Sequence, residues 1–174
     1  MIKLPKTHYQ WALKHIVLEG DTDLFPPPFE IDVLSYQRQA VVSALTQLDI
    51  GSYKWKGGRR FVVPKGALAF RTATQLDPID NLILVAIIKK FGRQIEAARV
   101  KSDIAFSYRF DPSSDGRIYG TESRWQRFWD QCKHNATTTD ITFVAIADVA
   151  DYYNQIYHHT LENEMRAAKL PRRS

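Results

Sequence analysis

One stretch near the end of the sequence combines an apolar run with two acids: Phe143-Val144-Ala145-Ile146-Ala147, then Asp148, then Asp151 three residues on. A short β-branched run of this kind predicts a buried strand that delivers the Asp148 carboxylate to its C-terminal edge. Carboxylate oxygens so placed suit Mg²⁺, which accepts one or two protein carboxylates together with substrate phosphates and waters. The competing reading is structural: a core strand, with Asp151 capping the short helix or turn that the run Tyr152-Tyr153 would form.

A second stretch carries the opposite charge. Residues 54–71 hold Lys54, Lys56, Arg59, Arg60, Lys65 and Arg71 without one acid, with Tyr53, Trp55, Phe61 and Phe70 interleaved. Fixed cations beside aromatic faces are what a phosphate-bearing strand or nucleotide requires. The same pattern also fits a solvated hairpin whose edges are protected by Lys and Arg.

The segment Asp148-Val149-Ala150-Asp151-Tyr152-Tyr153-Asn154-Gln155-Ile156 resembles the first catalytic-aspartate motif of reverse transcriptases, and Tyr157-His158-His159 after it is similar to prokaryotic members of that family, including those of retrons and anti-phage defence. Arg60-Phe61-Val62-Val63-Pro64-Lys65, with Arg71 six residues after Lys65, resembles the family's fingers hairpin, and Gln75-Leu76-Asp77-Pro78-Ile79-Asp80 the segment that follows it. The likeness spans roughly residues 23–165. It implies Asp148 as the metal-binding catalytic aspartate, with the Val149 backbone carbonyl as a further Mg²⁺ ligand. Lys65 and Arg71 would hold the triphosphate, Asp151 would lie near it, and Tyr153 would lie under the sugar. Lys54, Lys56, Arg59 and Arg60 would contact nucleic acid. The implied chemistry is RNA-directed DNA polymerisation by two Mg²⁺ ions, with deoxynucleoside triphosphates, an RNA template and a DNA or RNA primer as partners.

The elements that must position these residues are mostly helical. Thr7 is expected to cap a helix over 7–19, with Tyr9, Leu13, Ile16 and Val17 on its inner face and Gly20 as its stop. Pro26-Pro27-Pro28 imposes an extended connector, which Phe25 and Phe29 would pin to the body. A second helix is expected over 31–48, with Leu34, Val41, Leu45 and Leu48 on one stripe. Gly57-Gly58 opens a strand over 59–64, Lys65-Gly66 the turn, and 67–74 the return strand. Asp77 caps and Pro78 starts a helix with Ile79, Leu82, Ile83, Ala86 and Ile87 inward and Gly92 as its stop, after which 94–100 forms a short helix. Asp111-Pro112-Ser113-Ser114-Asp115-Gly116 is a loop. The block Ser107-Tyr108-Arg109-Phe110 before it resembles a block of the same family branch; Arg109 reads as a template contact or as a salt-bridge residue. Helices over 121–136, with Trp125, Phe128, Trp129 and Cys132 buried, and over 160–170 complete the expectation.

The fold class predicted is α+β: a helical fingers-like region over 1–140 with a hairpin, then the first strand and helix of a polymerase palm over 141–174. The 174 residues are 44% hydrophobic, enough for one domain with a core. The net charge of +5, from 24 basic and 19 acidic residues, is mild, so it is the clustering over 54–71 that suggests an anionic partner. No apolar run approaches the roughly 20 residues needed to span a bilayer, and Met1-Ile2-Lys3-Leu4-Pro5-Lys6 has no apolar signal core. No membrane contact and a cytoplasmic location are therefore expected. With one cysteine, Cys132, no internal disulfide can form. Adjacent His158 and His159 have no Cys or His at zinc-ligand spacing.

Two-metal phosphoryl transfer takes carboxylates from more than one element. The family supplies them from a Tyr-x-Asp-Asp hairpin, and no Asp-Asp pair occurs here. The expectation is therefore the front part of a polymerase, inactive by itself, that self-associates or is completed by another chain. Two readings from other classes stand beside it. One is a non-catalytic nucleic-acid-binding module working through the basic hairpin, and the other is an interaction domain that docks through its proline run.

Overall fold

A computed structural model describes residues 1–20, 26–122, 124–138, 140–150 and 152–170. Asp151 and Phe25 lie outside the described residues. The described chain is α+β: six α-helices and one two-stranded antiparallel sheet.

Helix α1 (Lys6–Glu19) begins directly after Pro5, whose ring holds φ at −62°, and no side chain caps it, so Thr7 is not the cap. Tyr9, Trp11, Ala12, Leu13 and Ile16 are buried, while Val17, assigned to the same face above, is exposed. The helix expected over 31–48 is two helices, α2 (Glu30–Tyr36) and α3 (Arg38–Gln47), separated at Gln37 with φ −90° and ψ 23°. No Pro or Gly stands there. The break lets Ile31 from α2 and Val42 and Leu45 from α3 enter the core on which α1 packs. Phe29 is exposed and does not pin the proline segment.

Strands β1 (Gly58–Pro64) and β2 (Phe70–Leu76) form the expected hairpin, with the return strand starting later than predicted. The turn passes through Gly66 at φ +77°, a conformation that costs glycine nothing. Helix α4 (Pro78–Ala98) follows. Asp77 accepts from the Ile79 N–H at 3.0 Å and Pro78 occupies the first helical position. Leu82, Ile83 and Ala86 are fully inside, as expected, and face α1.

Gly92 does not end α4, which runs on through the segment predicted as a separate short helix. Its place is explained by packing: a Cβ there would run into the Phe110 ring. Phe110 pairs with Tyr119 across the loop predicted at 111–116. That loop lies along α1, where the Trp11 Nε1–H donates to the Ser113 carbonyl at 2.6 Å and His15 Nδ1 bonds the Gly116 carbonyl at 2.8 Å.

The remainder is less buried. Helix α5 (Arg124–Ala136) has no buried residue, so Trp125, Phe128 and Trp129 form a surface aromatic cluster and Cys132 is only half-buried. The strand predicted before Asp148 is not formed: residues 141–149 have no regular secondary structure, and Phe143 and Ile146 are 91% and 88% exposed. The physical reason is partnership. A strand is held by neighbours, and the described sheet consists of β1 and β2 alone. A 3₁₀ turn (Tyr152–Gln155) and helix α6 (His158–Ala167) follow, the latter starting two residues before the expected Thr160 cap. Met165 and Leu170 close one side of an apolar groove of about 400 Å³ with Leu4, Ile50, Ile87 and Phe91. Among the described residues, no helix is long and apolar enough to cross a membrane.

Candidate functional site

The hairpin register decides which cations work together. Arg59, Phe61 and Val63 of β1 lie opposite Gln75, Ala73 and Arg71 of β2 and share one face; Arg60 and Val62, opposite Thr74 and Thr72, take the other. The Lys65 N–H donates to the Ala69 carbonyl at 2.7 Å, which carries the same register one step into the turn. Lys65 thereby sits diagonally to Arg71 on the Arg59 face, a relation that separates side chains by about 7–8 Å. That spacing allows two cations to grip different oxygens of one polyphosphate. Lys54, Arg59, Arg60, Lys65 and Arg71 are exposed and form no ion pair with any described residue.

The base of the hairpin is fixed from below. Asp80, in the first turn of α4, is 0% exposed and accepts from the Tyr53 hydroxyl at 2.7 Å and the Lys56 N–H at 2.8 Å. Tyr53 meets Trp55 edge to face. Burial, and then the bond to Asp80, push the Tyr53 phenol well above its usual pKa. Lys56 Nζ pairs with Asp77 at 3.1 Å. Burial raises the Asp77 carboxyl, but the Lys56 ammonium and the Ile79 amide outweigh it and hold the group below the usual range. Of the six cations in the basic stretch, Lys56 is the one that pairs with an acid among the described residues, and its side chain stays 57% exposed.

The acidic half is laid out differently. Asp148 and Val149 are exposed in the irregular segment, and Tyr153 is 85% exposed in the 3₁₀ turn, its ring edge-on to Tyr152. Among the described residues, Asp148 makes no hydrogen bond or ion pair, and no three His, Cys, Asp or Glu side chains gather as a metal cage. A Mg²⁺ site built of one or two carboxylates with substrate phosphates asks less than such a cage; Asp148 offers one exposed carboxylate.

Comparison of the chain with family models, with curated proteins and with solved structures finds no match.

Two acids carry more of the architecture than their sequence positions suggest. Asp80 reads locally as a first-turn acid favoured by the helix dipole; nothing in the local pattern reports its burial. Glu96 joins α4 to the 99–110 segment: it receives Arg109 Nη1 at 2.7 Å, Arg99 Nη1 at 2.9 Å and the Phe110 N–H at 2.9 Å. Arg109 is thus a salt-bridge residue, and its second nitrogen also bonds the Val100 carbonyl.

Proposed function

We propose that this chain is the fingers-and-early-palm portion of an RNA-directed DNA polymerase, with template-directed, Mg²⁺-dependent nucleotidyl transfer as the parent reaction. The observation that carries the reading is the hairpin register, which sets Lys65 and Arg71, both exposed, diagonally on one face, together with the aspartate motif at Asp148. In this role the two cations hold the phosphates of an incoming deoxynucleotide, whose leaving pyrophosphate gains charge in the transition state. Asp148, with the Val149 carbonyl, supplies Mg²⁺ ligation. Asp151 and Tyr153 frame the nucleotide, and the remaining carboxylates come from another part of the polymerase.

Calorimetric titration with Mg²⁺ and a deoxynucleoside triphosphate tests this. Lys65→Ala and Arg71→Ala are each expected to weaken binding by roughly tenfold or more, the scale of one lost charge-assisted bond. Asp148→Ala is expected to reduce the Mg²⁺ dependence. Unchanged triphosphate binding in the Lys65→Ala/Arg71→Ala double variant would defeat the proposal.

The exposure of Lys54, Arg59 and Arg60 without acidic partners among the described residues favours a second reading, a nucleic-acid-binding module without catalysis. It is separated from the first by a strongly salt-dependent affinity for single-stranded nucleic acid that survives Asp148→Ala.

A further inference from the structure

Beside the C-terminal half of α4, an open groove of about 390 Å³ is bordered by lysines from three parts of the chain. Lys3 comes from the segment before α1, Lys90 from α4, and Lys169 from the end of α6. All three are exposed, and among the described residues none pairs with an acid and no acid borders the groove. The Lys90 ammonium is held there by neutral partners: it donates to the Lys3 carbonyl at 3.4 Å and stands 5.5 Å from the centroid of the Phe91 ring, and both residues border the groove. The unbalanced charge reaches His8, whose pKa is held below its usual value by burial and then by Lys90 and Lys89. Lys169 is unusual in its backbone. Its φ of 59° is the one positive φ outside glycine among the described residues. Around it the Leu170 N–H returns to the Met165 carbonyl at 3.2 Å, a closure that helix C-termini usually make with glycine. A lysine in this position carries strain that glycine would not.

We propose that this groove binds a chain of phosphoryl groups through Lys3, Lys90 and Lys169, separately from the hairpin cations and independently of the polymerase reading. A lysine ammonium is a compact point charge on a flexible four-carbon stem. Exposed lysines around one groove can therefore settle on successive oxygens of a polyphosphate without a preset direction, whereas planar carboxylates are matched best by the arginine fork. With no acid beside them, the three ammonium groups have no internal competitor for the ligand. The strain at Lys169 has the same explanation: the left-handed position holds a lysine because its charge is used at the groove. The phosphoryl chain comes either from a free polyphosphate compound or from the backbone of a nucleic-acid strand.

The test uses the full chain with Lys65→Ala/Arg71→Ala, which silences the hairpin cations, at low salt. Titration with inorganic tripolyphosphate should shift the lysine Hε–Cε NMR signals of Lys90 and Lys169 saturably. Lys90→Gln and Lys169→Gly should each weaken that binding several-fold. Lys169→Gly also separates binding from folding, because glycine relieves the left-handed strain: amide exchange in α6 should stay as slow as in the parent, or slow further, while the affinity falls. An oligothymidylate that displaces tripolyphosphate identifies a strand backbone as the source; failure to displace it identifies a free polyphosphate compound. No saturable shift at millimolar tripolyphosphate, an unchanged affinity in the Lys90→Gln/Lys169→Gly double variant, or equally tight binding of an oligoglutamate of the same charge would overturn the site.

Discussion

Asp80 and Glu96 are held by different kinds of partner. Asp80 is enclosed and accepts a phenol and a backbone amide. Asp80→Ala leaves both donors unpaired and should lower stability by about 2–3 kcal/mol, with Tyr53→Phe costing about 1 kcal/mol, both read from urea unfolding. Tyr53 itself is stabilised in its neutral form. Its contribution to stability is therefore complete below its ordinary pKa of 10.0 and declines as pH rises beyond it, so the alkaline loss should be shallower in Tyr53→Phe. Tyr9 behaves in the same sense, since burial pushes its phenol up to about 12. Glu96 runs the other way. Burial raises its pKa, but the Phe110 N–H and the Arg109 and Arg99 guanidinium groups prevail, and the net shift is downward. Its contribution is present above the ordinary value of 4.5 and is lost as pH falls below it. Unfolding midpoints measured from pH 6 to pH 3 should accordingly decline less steeply in Glu96→Gln than in the parent.

At the scale of elements, α4 is the member on which the others are assembled: α1 packs along it, Asp80 ties the hairpin to its first turns, and Glu96 ties the Arg109 segment to its last. Gly92 is the point where the Phe110 ring packs against it. In an exposed helix Gly→Ala gains about 1 kcal/mol. At Gly92 the added methyl meets an aromatic ring, and overpacking costs about 1–3 kcal/mol. Gly92→Ala should therefore destabilise, and Phe110→Leu combined with it should recover part of the loss in a double-mutant cycle, as expected for residues in contact. Additive effects of the two changes would show that the ring and the glycine are not coupled.

Across the whole molecule, stability is unevenly distributed. The core is made by α1 to α4 with Leu4 and Ile118, whereas α5 and α6 contribute no buried residue and 141–149 is exposed throughout. Local opening free energy follows buried contact. Amide exchange should be slowest in the central turns of α1 and α4, faster in α5, and fastest over residues 141–150. Protection of 143–148 equal to that of α4 would mean that this run has found strand partners, and would restore the buried aspartate strand the apolar pattern predicts.

The parts of the fold that could be read from residue order are those whose causes are local. Asp77 and Pro78 start α4 because a side-chain acceptor and a fixed φ act within one turn, and the hairpin forms where Gly57-Gly58 and Lys65-Gly66 permit its bends. Alternation along the strands then puts Lys65 and Arg71 on one face, so the basic half of the candidate site was open to inspection in advance. Causes that act across the chain were not. Gln37 divides a helix without any breaker, Gly92 continues one because Phe110 packs there, and Asp80 is buried because Tyr53 and the Lys56 amide descend onto it. Residues 143–147 have the composition of a strand, yet backbone hydrogen bonding in a sheet is supplied by a neighbour, and a composition cannot say whether that neighbour is there.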